Sequence, residues 1–385
     1  MDFSLNDDQR MMVEAARRLN EKFVTPLLKA HDPDSPLPKE AVLQLLEKAA
    51  DLGLTSARIP EEGGGAGMRM LDYGLVVEQL PPSVMLILQP HEATTARIYF
   101  GGSEEQRERF VPDLMAGRRI GCTGSTEPDV GSDPRGIKTT ATQDAEGMAL
   151  NGRKMWISNA TICDVMHVTC RIADSSGGSR MGRILVDRDV SPFETREVDM
   201  LGLRQAPLGE VLFEDTRVPA ENVCPDNGDT ARLLTITWLA NRPTVGLMAV
   251  HLAQRAFEAA TEYSKMRKQF GKPIGAHQLI QHDLAEIETA IVSSRLLCYN
   301  ALAALDRGER TNGLSAMAKR YAVDACDRAI QLAMRIHGGM GLSRELGLEQ
   351  MARDVRTLAI PDGTPGILSL IQGREITGFD AFRPA

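Results

Sequence analysis

The sequence predicts a mainly α-helical protein with a β-structured insert in the middle of the chain. Three observations support this prediction. Apolar residues recur at helical spacing in the first part, short β-branched runs between turn residues fill the middle, and long helical patterns return in the last part. We therefore expect an N-terminal α-helical domain at 1–120, a middle β-barrel or sandwich domain at 121–228, and a C-terminal α-helical bundle at 229–385.

Helical patterns occupy both ends of the chain. Asn6, followed three residues later by Gln9, matches a capping box ahead of the first apolar stripe. Short links between the later helices favour an antiparallel bundle. Further helices are predicted at 39–52, 104–115, 245–266, 276–307 (as one helix or two), 314–336 and 365–376.

The middle part has the pattern of short strands between turns. Asn151-Gly152 is a favoured hairpin turn pair, and it predicts a hairpin ahead of a strand at 154–158. Other strands are predicted at 137–142, 165–170, 183–186 and 211–213.

Composition excludes several classes of function. The 385 residues carry a formal net charge of -8, which argues against a nucleic-acid partner. No apolar run is long enough to span a bilayer, and the N-terminus lacks the features of a secretory signal. The six cysteines are scattered, which favours a reducing, cytoplasmic compartment. The seven histidines form no metal-binding motif, so we expect no metal site.

Two segments could hold a ligand. The stretch 123–133 is rich in hydroxyl groups and glycine, so its backbone N–H groups and side chains could converge on one ligand, or it could be a turn-rich entry to the β-domain. Trp156 lies close to Ser158, which suits stacking on a cofactor ring, although a core position is the more common one for a single tryptophan.

A third segment near the C-terminus carries a carboxylate in a loop. Asp362 is followed by Gly363 and Thr364, and Asp-Gly by itself predicts only a turn. Together with Thr126-Glu127-Pro128 and the segment at 155–158, it has the pattern of a proton-abstracting base in a flavin enzyme.

The chain resembles the acyl-CoA dehydrogenase family over nearly its whole length. Six segments match in the family's order, and this order is more specific than any one segment. The matching segments include Ser125-Thr126-Glu127-Pro128, Gly131-Ser132-Asp133, Lys154-Met155-Trp156-Ile157-Ser158, Arg267-Lys268-Gln269-Phe270-Gly271-Lys272, His337-Gly338-Gly339-Met340-Gly341 and Arg353-Asp354.

The resemblance implies an FAD cofactor and site residues to hold it. Asp362 would be the base, and Ser158 would lie near flavin N5. Because the segment that starts at Arg267 reaches a neighbour's FAD in this family, a homotetramer or homodimer is implied. The implied cofactor-binding residues are Ser125, Thr126, Ser132, Trp156, Ile157, Ser158, Arg267, Gln269, Phe270, Gln278, Arg335, Gly338, Gly339, Thr364 and Gly366, and the implied substrate-binding residues are Ser132, Asn241 and Arg242.

The implied reaction is FAD-dependent α,β-dehydrogenation of an acyl-CoA thioester to the trans-2-enoyl-CoA, with electrons passed to an electron-transfer flavoprotein. A thioester α-hydrogen is weakly acidic, so its removal needs a positioned base and stabilisation of the developing enolate. The β-hydrogen then leaves as hydride, because a flavin supplies the electron sink that side chains lack.

Three positions depart from the family pattern. Asp362 stands where the family has glutamate, and its side chain is shorter by one carbon–carbon bond of about 1.5 Å. A displacement near 1 Å can lower a rate about a hundredfold, so the loop or the substrate must move inward to compensate. Arg335 stands where glutamine is frequent, and it could serve the FAD pyrophosphate or a surface. Asn241 stands where some relatives carry an alternative catalytic glutamate, which leaves Asp362 as the candidate base.

Two alternative functions remain open. Some dehydrogenases of this family carry aspartate at the base position, and so do relatives that oxidise nitroalkanes. The same fold could therefore serve a flavin oxidase or monooxygenase, either nitroalkane oxidase-like or linked to an acyl-carrier protein. The other alternative is a non-catalytic flavin-binding or CoA-binding partner protein.

Overall fold

The computed structural model has the three predicted parts in the predicted order. It describes residues 4–144, 147–173, 178–226 and 230–381, and the side chains of residues 230–236 lie outside this description. Buried apolar residues of all three parts form one continuous core, so the parts pack against each other. Within the described residues, no helix combines the length and apolar character needed to cross a bilayer.

The N-terminal part consists of six helices. The first begins with the predicted capping box, since Gln9 N donates to Asn6 Oδ1 at 2.8 Å and Asn6 N donates to Gln9 Oε1 at 3.2 Å. A π-helical turn at Asn20–Val24 joins the first two helices. The fifth helix was not predicted, because it is buried on nearly all sides and lacks an amphipathic period. The helices are α1 Asp7–Leu19, α2 Thr25–Lys29, α3 Lys39–Ala50, α4 Met70–Val77, α5 Pro82–Gly101 and α6 Glu104–Met115.

The middle part is one mixed sheet of seven strands. Its order is β1–β4–β2–β3–β7–β6, and β5 pairs with the free edge of β4. Strands β1 and β2 run parallel to β4, and the other neighbours are antiparallel. The strands are β1 Gly121–Gly124, β2 Thr140–Asp144, β3 Gly147–Ser158, β4 Val165–Ala173, β5 Ser179–Asp187, β6 Glu194–Glu197 and β7 Leu208–Val218.

The predicted hairpin turn at Asn151-Gly152 is wrong. Both residues lie inside β3, where the register against β7 shifts between Leu150 and Gly152. Gly152 has φ of 150°, and a Cβ there would approach Thr139 Oγ1 to 2.4 Å. Asn151 Oδ1 accepts from Asp215 N at 2.8 Å. The pair therefore serves a β-bulge, which uses the same conformational freedom as a tight turn.

The C-terminal part is a helical bundle, as predicted. Helices α7, α8 and α9 pack against one another, and the segment 276–307 is one helix rather than two. A small hairpin of β8 Lys268–Gln269 and β9 Lys272–Pro273 joins α7 to α8. The helices are α7 Thr230–Met266, α8 Gln278–Asp306, α9 Asn312–His337, α10 Leu348–Thr357 and α11 Pro365–Thr377.

Candidate active site

Two of the predicted cofactor segments are neighbours in the sheet domain. Met155 N donates to Thr126 O at 3.0 Å, which joins the segment after β1 to the bulged end of β3. The Ser125 hydroxyl lies 3.2 Å from Thr169 Oγ1 on β4. Ser132 is exposed in the loop before β2, and within the described residues no contact links it to Asp362. The structure thus brings Ser125 and Thr126 next to the Trp156 segment.

A buried ion pair fixes these segments. Lys154 Nζ donates to Glu127 Oε1 at 2.8 Å, to Ser125 O at 3.2 Å and to Thr169 O at 2.8 Å. Burial lowers the pKa of the Lys154 amine, and Glu127 opposes that shift. Burial would raise the pKa of the Glu127 carboxyl, but hydrogen bonds from Lys154 and Thr139 hold it below its usual value. Because both groups are buried and paired, the segment 125–127 is held in one position.

Trp156 is presented outward by a second bulge in β3. The register against β7 shifts between Lys154 and Ile157, and Trp156 has φ of 62°. Its side chain is 51 % exposed, whereas Ile157 is buried in the core and Ser158 is half-buried. The core interpretation of Trp156 is therefore wrong, and its exposed ring can stack on a planar ligand.

The hairpin between α7 and α8 carries another exposed aromatic residue. Phe270 and Gly271 form its tip at φ of 49° and 79°, and the Phe270 side chain is 94 % exposed. Arg267 and Gln269 are also exposed on this hairpin, as is Gln278 at the start of α8. An exposed aromatic ring at the tip of a hairpin is available to contact a ligand or a second subunit.

Open backbone at three predicted glycines fits a large cofactor. A Cβ added at Gly338, Gly339 or Gly366 would meet no atom within 4 Å, so a ligand can approach the chain closely there. Thr364 occupies the N-cap position of α11, two residues before Gly366. Together with the exposed rings of Trp156 and Phe270, these glycines fit the predicted dinucleotide.

Arg335 forms an ion pair within the chain. Its Nη2 lies 2.6 Å from Asp283 Oδ1 on α8, and its Nε donates to Asp283 Oδ2 at 3.3 Å. The side chain nevertheless remains 65 % exposed, so further N–H donors face outward. Both roles suggested by the sequence, surface and cofactor contact, remain compatible with this position.

The predicted base lies in the loop between α10 and α11. Asp362 has φ of 55°, a left-handed conformation that aspartate tolerates better than most residues. The residue is half-buried, and its carboxylate makes no hydrogen bond or ion pair with any described residue. Asp362 therefore presents a free carboxylate on a backbone that the neighbouring helices hold.

Two buried cations hold this backbone. Lys319 Nζ on α9 donates to Ala359 O at 3.3 Å, to Gly363 O at 2.7 Å, and also to Pro361 O. Arg242 Nε on α7 donates to Asp362 O at 2.9 Å. Burial lowers the pKa of Lys319 to about 7, and the charge of Asp362 opposes that shift. The two cations thus bind four carbonyl groups of the loop while its carboxylate stays free.

The sequence analysis named Arg242 but missed Lys319. A signal was present, since Lys319 stands three residues after Ala316 and three before Ala322, on the apolar face of α9. The neighbouring Asn241 is also buried, and its Oδ1 accepts from Arg58 Nη2 at 2.7 Å. Arg242 therefore lies beside the base loop, with Asn241 next to it in the chain, and their role in binding substrate stays a prediction.

Fold and site together define a flavoprotein oxidoreductase. Three models of the acyl-CoA dehydrogenase family match the chain, with the N-terminal domain at 6–118, the middle domain at 122–216 and the C-terminal domain at 234–377. The chain belongs to the acyl-CoA dehydrogenase family, and it is an FAD-dependent oxidoreductase.

Solved structures with the same fold extend over the whole chain. Butyryl-CoA dehydrogenase from Megasphaera elsdenii is 31% identical with a TM-score of 0.89, covering 98% of this chain and 100% of its own. Glutaryl-CoA dehydrogenase from Mycobacterium smegmatis, in complex with FADH2, is 27% identical with a TM-score of 0.90, covering 98% and 97%. A chain from a structure of the electron-transferring flavoprotein of Acidaminococcus fermentans is 29% identical with a TM-score of 0.90, covering 98% and 100%.

Proposed function

We propose that this protein dehydrogenates the Cα–Cβ bond of an acyl-CoA thioester to the trans-2-enoyl-CoA, with Asp362 as the base that removes the α-proton. One observation carries the proposal: the Asp362 backbone is held by Lys319 and Arg242, while its carboxylate has no partner among the described residues. A general base needs this combination of fixed position and free oxygens.

The charges around Asp362 support this role. Three buried cations lie within electrostatic reach of its carboxylate, and they are Arg97, Arg242 and Lys319. Burial lowers the pKa of each cation, and the negative charge of Asp362 opposes that lowering. Asp362 therefore lies among fixed positive charges, which also stabilise negative charge that develops on a substrate nearby.

The cofactor residues would lie on the sheet domain and on the hairpin. Thr126, Trp156 and Ser158 would contact the flavin ring, and the glycines at 338 and 339 would allow close approach of its phosphate-bearing part. FAD, when bound, supplies the acceptor for the hydrogen that leaves Cβ. The chain itself supplies the base, its orientation and the walls of the site.

We also propose a homodimer or homotetramer in which the hairpin at Phe270 covers the neighbour's FAD. The exposure of Phe270, at 94 %, supports this arrangement, because burying such a ring against a partner is favourable. Electrons would leave to an electron-transfer flavoprotein, and the likeness to a chain in the Acidaminococcus fermentans structure supports this partner.

Anaerobic flavin reduction tests the proposed reaction. Addition of straight-chain acyl-CoA thioesters to the purified holoenzyme should bleach the yellow flavin in the absence of air. Bleaching by nitroalkanes instead, or rapid release of peroxide in air, would favour the oxidase alternative. A flavin that binds and is bleached by neither class would favour the non-catalytic partner protein.

A further inference from the structure

Helices α5 and α7 meet along a line of buried polar side chains, here named the polar seam. Gln89 Nε2 donates to Thr244 Oγ1 at 3.1 Å at one end, and Arg97 Nε donates to Thr237 Oγ1 at 3.4 Å at the other. Between these two contacts, the loop after α3 contributes Arg58 to the polar seam. The seam consists of the half-buried Arg58 and the buried Gln89, Glu92, Arg97, Thr237, Asn241 and Thr244.

Two guanidinium groups in the seam have N–H groups that lack a hydrogen-bond partner among the described residues. Arg58 Nη2 donates to Asn241 Oδ1 at 2.7 Å and lies 3.4 Å from Glu92 Oε2. Arg58 Nε has no partner among the described residues, and the contact with Thr237 is the only hydrogen bond of the Arg97 side chain among them. Each guanidinium has several further N–H groups, and leaving them unpaired in a buried site is unfavourable.

Positive charge exceeds negative charge around the seam. Arg97 is 6 % exposed, and Arg183 on β5 is also buried, with an Nη1 that has no partner among the described residues. Two carboxylates act on these arginines, since Glu92 contacts Arg58 and the charge of Asp362 acts on Arg97. They are fewer than the three arginines, and because buried charge of one sign is stabilised by an opposite charge nearby, the seam favours a further anion.

An unpartnered histidine faces the same region. Thr94 Oγ1 on α5 lies 2.9 Å from Thr123 Oγ1 on β1, and His167 on β4 is the register partner of Thr123. His167 therefore lies on the sheet face that packs against α5. Arg97 lies on α5 one helical turn after Thr94. It is 1 % exposed, and neither of its ring nitrogens has a partner among the described residues.

The seam adjoins the base loop. Asn241, which accepts from Arg58, is next in the chain to Arg242, which holds the backbone of Asp362. Coenzyme A is too large to fit among buried side chains. The CoA end of the substrate must therefore extend toward solvent. The buried end of a thioester that places its α-carbon at Asp362 is therefore the acyl group.

We propose that the acyl group ends in a carboxylate that Arg58 and Arg97 bind, so that the substrate is the mono-CoA thioester of a dicarboxylic acid. This inference rests on the proposed function. A carboxylate accepts paired N–H groups from a guanidinium in a planar fork, which a hydrocarbon chain cannot do. It would also neutralise the excess charge of the seam.

The electrostatics of the seam agree with an anionic ligand. Burial, and then the like charge of Arg58, lower the pKa of Arg97 to about 10, although the charge of Asp362 opposes them. Burial, and then the charges of Arg97 and Arg183, lower the pKa of His167 well below its usual value. The imidazole is therefore neutral and can donate one N–H to a bound carboxylate.

Binding to the Asp362→Asn holoenzyme tests the inference without turnover. Thioesters are compared in pairs of equal chain length, glutaryl-CoA with pentanoyl-CoA and adipyl-CoA with hexanoyl-CoA, and Kd is read from the change in the flavin spectrum. We expect the carboxylated member of at least one pair to bind about 10- to 100-fold more tightly. Adding Arg97→Met should reduce this ratio to about threefold or less.

A matched control separates binding from folding. Arg295→Met, in the same background, removes an arginine that pairs with Glu78 at 2.7 Å in the helical bundle, and it should leave the ratio unchanged. If the Arg97 variant does not hold flavin, Arg58→Met is used in its place. If neither variant holds flavin, the affinity ratio in the Asp362→Asn parent decides alone. Equal or tighter binding of the uncharged members would overturn the inference.

The same thioesters distinguish this inference from the proposed function. If no thioester bleaches the flavin of the unmodified holoenzyme, the proposed reaction fails, while the affinity ratio still tests the carboxylate site. If uncharged thioesters bleach the flavin and bind as well as the carboxylated ones, the reaction stands and the carboxylate site is refuted.

Discussion

The two halves of the active site are built in different ways. On the base side, buried Lys319 and Arg242 bind carbonyl groups on both sides of Asp362, so one chain completes this half. On the cofactor side, Trp156 and Phe270 expose 51 % and 94 % of their side chains. Folding alone therefore orients the base, whereas we propose that a ligand or a second subunit completes the cofactor surface.

Both halves rely on backbone strain. Trp156, Phe270 and Asp362 have φ of 62°, 49° and 55°, and such left-handed conformations cost about 1–3 kcal/mol each at residues other than glycine. At Asp362 the contacts from the buried cations offset this cost. At Phe270 the described residues offer no such contact, which agrees with a site that binding completes.

Removing the cation under the base loop should produce the largest effect on the base half. Lys319→Met leaves carbonyl groups of the loop without a donor and lets Asp362 shift, so kcat/KM should fall about a hundredfold. Flavin content should stay normal, because the hydrogen bonds of Lys319 to described residues all go to carbonyl groups of the base loop. Lys265→Met, at an exposed lysine that pairs with Glu262, is the matched control. Normal turnover in Lys319→Met would mean that the loop needs no such support.

The lowered pKa of Lys319 predicts that the stability of the folded protein depends on pH. Its pKa in the folded protein is about 7, below the ordinary value of 10.5, so between these values the unfolded chain binds a proton that the folded protein does not. The contribution of Lys319 to stability therefore rises with pH across this window, by about 1.4 kcal/mol per pH unit, and is lost as pH falls to about 7. Urea unfolding at several pH values should give a steeper rise for the unmodified protein than for Lys319→Met. Parallel curves would contradict a lowered pKa.

Truncating the most exposed ring, that of Phe270, tests whether the hairpin belongs to the cofactor half of the site. Phe270→Ala should weaken FAD retention about tenfold, since a buried phenylalanine contributes roughly 1.5–3 kcal/mol when a ligand covers it. Phe379→Ala is the control, because Phe379 is 78 % exposed and lies outside the site. Flavin dissociation followed by fluorescence compares the two. Equal retention in both variants would remove the hairpin from the cofactor site.

The smallest effect is expected at Arg335. Arg335 is 65 % exposed, although its partner Asp283 is buried, and glutamine keeps an N–H donor, so Arg335→Gln should change the free energy of unfolding by only about 1 kcal/mol. Calorimetry on the apoprotein measures this change. A larger loss that appears only in the flavin-loaded protein would assign the arginine to the cofactor.

The helices were predictable because their signals are local. The capping box at Asn6 and Gln9, and the amphipathic stripe of α9, each lie within a few turns of chain. The Asn151-Gly152 pair misled the prediction, because a β-bulge and a hairpin turn both favour a glycine that can adopt a positive φ, here 150°.

The polar seam could not be predicted from the sequence. Arg58, Arg97 and Asn241 lie far apart in the chain, and only packing brings them together. Helix α5 added to the difficulty, because a helix buried on nearly all sides shows no amphipathic period. Lys319 was missed because a single lysine in a helix ordinarily faces solvent.

Anaerobic stopped-flow reduction of Asp362→Asn tests the central claim most directly. The variant keeps the shape of the side chain but cannot accept the α-proton, so the rate constant of flavin reduction by a reactive thioester should fall between about 10²- and 10⁴-fold. Flavin content and thioester affinity should stay close to those of the unmodified protein. Reduction within about tenfold of the unmodified rate would contradict the assignment of Asp362 as the base, since loss of a general base costs more than this.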